Sequence, residues 1–164
     1  MERDSAIETY LEIKAERDML EIRRELLSVL RTKSLSVGQA LDIVDMVLSQ
    51  VDVPAPMVLA VMAQESEFKP WARSEKDARS LMQVIPATYR IYANPLLKMG
   101  IHTSDPILTT CAGISFLGDM KRTFKDWKLA LRAYYAGPKQ ANNKNYNWYA
   151  SSVIRRAVKY GMKL

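Results

Sequence analysis

Apolar residues recur along most of the chain at three- and four-residue intervals, and strict alternation is scarce, so the pattern predicts helices rather than strands. Between residues 3 and 32 the stripe is Ile7, Leu11, Ala15, Met19, Ile22, Leu26 and Leu30, with charged residues of both signs filling the intervening turns. The spacing is not a strict heptad, so it predicts an amphipathic helix without specifying a coiled coil. Two readings stay open for its apolar face: packing against its own domain, or docking onto a partner. Ser36 with Gln39 has the form of a capping box and opens a helix running to about Ser49. Pro54 and Pro56 mark a turn and the first turn of the next helix, which ends near Ser66. Residues 67–80 are polar and irregular. Short helices are predicted at 79–85 and 87–93, punctuated by Pro86 and Pro95, and longer ones at 105–122, 126–136 and 146–160. The expected fold is mainly α: an amphipathic helix extension over 1–34, followed by a helical domain over 35–164.

Composition narrows the chemistry. With 164 residues, 48% of them hydrophobic and 26% charged, the chain suits one globular domain with a substantial core. No apolar run approaches the ~20 residues of a membrane span. The first residues are charged from position 2 and contain no apolar segment of the signal-peptide kind, so no secretory signal is expected and synthesis in the cytoplasm is. One cysteine, Cys111, and one histidine, His102, exclude an intrachain disulfide framework and a Cys/His zinc cluster. A Ser-His-Asp device would have to use His102, in a Gly-Ile-His-Thr-Ser loop, and Gly-rich phosphate loops are absent. No cofactor or metal is expected, and carboxylates remain as the natural reagents.

The net charge of +6 is unevenly placed. No Asp or Glu follows Asp126, whereas eight Lys and Arg residues do, so the basicity belongs to the last 38 residues. Such a segment suits a polyanionic partner, either an acidic envelope or nucleic acid, or else is a solvated helix face.

Glu65 is the anomaly. Three, four and seven residues before it stand Met62, Val61 and Val58, so a carboxylate continues an apolar stripe that should face the core. It also falls in the last turn of its helix, where the helix dipole disfavours negative charge. Burial and the dipole both raise a carboxyl pKa, and a carboxylic acid still protonated near neutral pH is what general acid catalysis requires. The alternative is a partly exposed glutamate at a fraying helix end.

The residues around it favour the acid. Glu65-Ser66-Glu67-Phe68, with Pro70, Ala72 and Ser74, then Ala78-Arg79-Ser80-Leu81-Met82-Gln83-Val84-Ile85-Pro86-Ala87-Thr88, resemble the signature of soluble lytic transglycosylase domains. Asp105-Pro106, Gly113 with Phe116-Leu117, then Leu129-Ala130-Leu131-Arg132-Ala133-Tyr134-Tyr135-Ala136-Gly137-Pro138, and finally Tyr149 with Val153, resemble its later blocks, in family order across about residues 37–164. The resemblance implies a lysozyme-like helical fold whose cleft binds peptidoglycan glycan strands. It also implies cleavage of the MurNAc–GlcNAc β-1,4 bond without water, leaving a 1,6-anhydro-muramic end. On it Glu65 is the single acid and base; Ser66, Met82, Gln83, Tyr134, Tyr135 and Tyr149 would bind substrate or border the carboxyl. For Met82 a place in the core is an equal alternative. Ser80, Thr109 and Tyr135 depart from the family's Gly, Asn and Asn.

Two rivals remain. A hydrolytic lysozyme on the same fold would want a second carboxylate, and Glu67, Glu75 and Asp77 are the nearby candidates. In goose-type lysozymes, which share the Leu-Met-Gln run, an acidic residue stands two positions after the Gln, where this chain has Ile85. A non-catalytic wall-binding or nucleic-acid-binding protein could use the aromatic, basic segment holding Tyr134, Tyr135, Tyr146, Trp148, Tyr149 and Tyr160, although no nucleic-acid motif accompanies it. Since peptidoglycan lies outside the cytoplasm, the expected route is carriage in a bacteriophage virion, with residues 1–34 docking onto a virion or envelope protein during genome entry.

Overall fold

The structure, a computed structural model, describes residues 2–33, 35–93 and 104–163. Pro95 and His102 lie outside the described residues. Among the described residues seven α-helices carry the fold: α1 (Glu2–Arg31), α2 (Val37–Leu48), α3 (Ala55–Ser66), α4 (Pro86–Tyr92), α5 (Pro106–Phe124), α6 (Trp127–Ala136) and α7 (Asn147–Lys159). No strand forms among the described residues beyond two isolated bridges, so the mainly α expectation holds. None of these helices is long and apolar enough to cross a membrane.

Helix α3 is the hub. Every residue from Pro56 to Ala63 is buried, and a helix that is apolar on all sides needs neighbours on all sides. Helix α7 lies along one flank of α3, α1 and α2 pack against it, and α6 runs between α5 and α7. The main core joins Ile43, Val44 and Val47 of α2, Met57 to Met62 of α3, Leu81, Met82 and Val84 of the following loop, Leu117 of α5, and Tyr149 and Val153 of α7. A smaller cluster under α5 and α6 holds Phe116, Met120, Ala130, Ala133 and Ala141.

Local chemistry sets the helix ends where it was legible. The capping box is complete: Gln39 N–H donates to Ser36 Oγ and Ser36 N–H to Gln39 Oε1, both at 3.1 Å. Helix α5 opens on Asp105, whose Oδ1 accepts from the Ile107 and Leu108 amides at 2.8 and 3.1 Å.

Two expectations change. Residues 79–85 do not form a helix. Ser80 and Gln83 take left-handed φ values of 65° and 50°, and Arg79 and Val84 bond reciprocally through their backbones at 3.1 and 3.0 Å, closing a tight hairpin. The apolar spacing of Leu81, Met82 and Val84 mimics a helix because tertiary packing, not helical periodicity, buries all three. The α1 stripe also divides. Leu26 and Leu30 are buried in the core and Ile22 packs against it, while Ile7, Leu11 and Met19 are exposed.

The hairpin is pressed onto α5 at Gly113. A Cβ added there would stand 2.9 Å from both Cβ and Sδ of Met82 and 3.2 Å from Val84 Cγ2, and the Met82 Cβ cannot swing away as a flexible tip would. Gly113→Ala is therefore expected to lower stability by about 1–3 kcal/mol. Thermal unfolding checks this, and an unchanged melting temperature would contradict the packing described.

Candidate active site

Glu65 sits where the buried helix ends. α3 stops at Ser66, and the next residue, Glu67, turns into the left-handed region at φ 51°, sending the chain away from the helix axis. The Glu65 carboxyl is thereby held at the edge of the core, and burial raises its pKa from 4.5 to about 7. The Tyr149 hydroxyl, brought up by the first turn of α7, donates to Glu65 Oε1 at 2.5 Å and partly opposes that rise, because it favours the carboxylate. Glu65 thus titrates in the range where it can both give and take a proton.

A second tie runs beside the first. Gln64 Oε1 accepts from Ser152 Oγ at 2.7 Å and from Arg156 Nε at 3.3 Å, so two consecutive residues at the end of α3 are bonded to α7. Sequence reasoning did not find this pair. Its only trace was a polar residue beside Glu65 on an otherwise apolar helix.

The other expected site residues fall into two groups. Tyr134 and Tyr149 border the Glu65 carboxyl. Each phenol is pushed well above 10, first by burial and then by the charge of Glu65. Tyr134 donates to the Met82 carbonyl at 2.8 Å and stacks on Phe116 at 5.1 Å between ring centroids. Tyr135 is 44% exposed and lies against Tyr149, its ring centroid 4.5 Å away and the planes 27° apart.

Ser66, Met82 and Gln83 make their contacts within and around the hairpin. Met82 is fully buried, so its side chain takes the core alternative rather than lining a cleft; only its carbonyl reaches the site, through Tyr134. The buried Ser66 hydroxyl lies 2.8 Å from the Leu81 carbonyl and 3.1 Å from that of Met62, and so anchors the hairpin to α3. The Gln83 amide donates to the carbonyls of Ala72 and Ser80 at 3.2 and 2.9 Å, bracing the turn.

Candidate second carboxylates are otherwise engaged or remote from burial. Asp77 is gripped by Arg73 at 2.7 Å and by Arg79 at 2.9 Å. Glu67 is exposed beside Lys69 at 3.4 Å, and Glu75 is exposed. Among the described residues no cluster of His, Cys, Asp and Glu is arranged to hold a metal ion.

The family pattern of the transglycosylase SLT domain matches residues 42–154, from within α2 to the middle of α7 and so across the whole Glu65 site. The chain belongs to the SLT domain family. Solved structures agree on the fold. The 70 kDa soluble lytic transglycosylase of Escherichia coli superposes with a TM-score of 0.63 at 16% identity over 87% of this chain and 30% of that one. An inactive glutamate-to-glutamine mutant of the lytic transglycosylase Slt from Pseudomonas aeruginosa does so with a TM-score of 0.56 at 24% identity, over 66% of this chain and 22% of that one. This SLT domain therefore spans less than a third of the length of either protein. Its departures from the family pattern have clear placements. Ser80 supplies the left-handed turn that a glycine adopts more easily, with its buried Oγ unpartnered among the described residues. Thr109 turns its hydroxyl back to the Asp105 carbonyl at 2.7 Å.

The raised carboxyl carries a stability signature with a definite sign. Between pH 4.5 and about 7 Glu65 is protonated when folded and ionised when unfolded, so unfolding releases a proton and stability falls as pH rises through that window. The loss above the window is about 3 kcal/mol. Glu65→Gln is expected to melt higher than the parent at pH 8, with the difference shrinking steadily toward pH 4. A difference that does not vary with pH would show that the carboxyl is not held protonated by the fold.

Proposed function

We propose that this SLT domain is a peptidoglycan lytic transglycosylase, cleaving the MurNAc–GlcNAc β-1,4 bond with Glu65 as its single acid and base. The observation that carries this reading is one carboxyl whose pKa burial raises to near 7 and which Tyr149 hydrogen-bonds. Protonated Glu65 gives its proton to the departing glycosidic oxygen as the bond from that oxygen to C1 breaks. The carboxylate so formed is the state Tyr149 stabilises. It then takes the proton of the C6 hydroxyl as O6 bonds to C1, closing the 1,6-anhydro ring and restoring the acid. No water is consumed, so no second carboxylate is needed to activate one.

The engagement of Asp77 by two arginines and the apolar Ile85 support this over hydrolysis, which wants a free carboxylate on the opposite face of the sugar. The eight cations after Asp126 suit approach to a wall rich in carboxylates, with nucleic acid a weaker match. The proposal extends to delivery. The exposed Ile7, Leu11 and Met19 of α1 offer a face for a virion or envelope protein that confines the activity to one place, as in local opening of a wall.

The test is mass spectrometry of purified peptidoglycan digested by the domain. Anhydro-muramic ends are expected from the parent and none from Glu65→Gln, whose fold is monitored by circular dichroism. Reducing ends would replace the transglycosylase with a hydrolase, and equal release by the mutant would remove Glu65 from the chemistry.

A further inference from the structure

Two large aromatic side chains next to the site are neither buried nor used by the mechanism. Trp148 is 54% and Tyr135 is 44% exposed, yet neither is loose. Tyr135 lies with one face against Tyr149. Trp148 meets Tyr135 edge-on at 5.3 Å with the planes 79° apart, and meets Tyr149 at 5.8 Å and 89°. Tyr146 closes a third side, 5.7 Å from Tyr135 and tilted by 58°. The rings therefore make a right-angled corner, with Tyr135 as floor and Trp148 as wall. The inner side of that floor is the tyrosine that bonds Glu65. Burial of apolar surface does not explain a tryptophan that keeps half its surface in water.

The residues around the corner point to its ligand. In Asn145-Tyr146-Asn147-Trp148 amides alternate with rings, and Asn142 and Asn143 stand just before. Asn143 is used within the chain, accepting from the Asn145 amide at 3.0 Å and donating to Gln140 at 2.9 Å. Asn142, Asn145 and Asn147 are exposed. Flat rings that stack on a pyranose C–H face, flanked by amides that both donate and accept, suit a sugar bearing hydroxyl and acetamido groups.

We propose that Tyr135 and Trp148 form a binding subsite for one N-acetylhexosamine ring of the glycan strand, one aromatic layer outward from Glu65. The inference rests on the glycan-cleaving reading above for its ligand class. The subsite contributes affinity and register along the strand, and neither ring touches the reacting atoms.

The experiment uses the full chain carrying Glu65→Gln, so that nothing turns over, titrated with the N-acetylglucosamine tetramer by calorimetry. The Trp148 indole N–H is followed in parallel by NMR. Adding Trp148→Ala is expected to weaken binding about tenfold, and Trp148→Phe to restore most of it. Tyr135→Asn is expected to weaken it to a similar degree. Melting temperatures within a degree or two of the parent keep the comparison free of unfolding, and the phenylalanine variant provides the ring-retaining control. Equal affinity with and without the Trp148 side chain overturns the subsite, as does an indole signal unmoved at saturation. The two readings fail separately. A parent that cleaves walls while Trp148→Ala binds normally loses only the subsite, and a parent that binds through Trp148 without cleaving loses only the catalytic reading.

Discussion

The structure turns on a carboxyl at the end of a helix with no wet side. Because α3 is enclosed by its neighbours, whatever stands in its last turn is only partly in water, and Glu65 stands there. Its desolvation is a cost to the fold, and the rest of the site limits and exploits that cost. Tyr149 supplies one hydrogen bond to the carboxyl, and the Gln64 to Ser152 bond holds α7 alongside α3 so that the phenol stays in reach. Removing the tyrosine would push the pKa of the acid up, away from the range in which it can act in both directions. Leaving the carboxyl in water would return it to an ordinary glutamate.

The hairpin over residues 78–85 serves this arrangement through its backbone more than through its side chains. Ser66 reaches the Leu81 carbonyl and Tyr134 the Met82 carbonyl, so one loop is tied both to the helix bearing Glu65 and to the helix bearing its aromatic border. Gly113 lets α5 approach closely enough to close it from behind. These contacts give Met82 and Gln83 a part in shaping the loop beside Glu65. Their work is to keep a loop with two left-handed residues in one shape.

What was legible in the sequence follows from how local each cause is. The capping box at Ser36 and the end of α3 near Ser66 depend on a few neighbouring residues, and both stand where the pattern put them. Glu65 was legible because a charge on an apolar stripe contradicts its surroundings whatever the fold. The hairpin was not, since Leu81, Met82 and Val84 share a helix-like spacing that only long-range packing reinterprets. The α1 stripe looked uniform, yet only its last turns meet the core, and amphipathic spacing carries no information about where the partner surface ends. The partners of Gln64 and the corner made by Trp148 lie more than eighty residues apart or across helix ends, beyond any spacing rule.

The measurement that bears most directly on this account is the pKa of the Glu65 carboxyl itself, followed by carbon NMR of the side-chain carboxyl with Glu65→Gln to assign the signal. A midpoint near 7, rising further in Tyr149→Phe, is the predicted result. A midpoint near 4.5, unmoved by loss of the tyrosine, would contradict it.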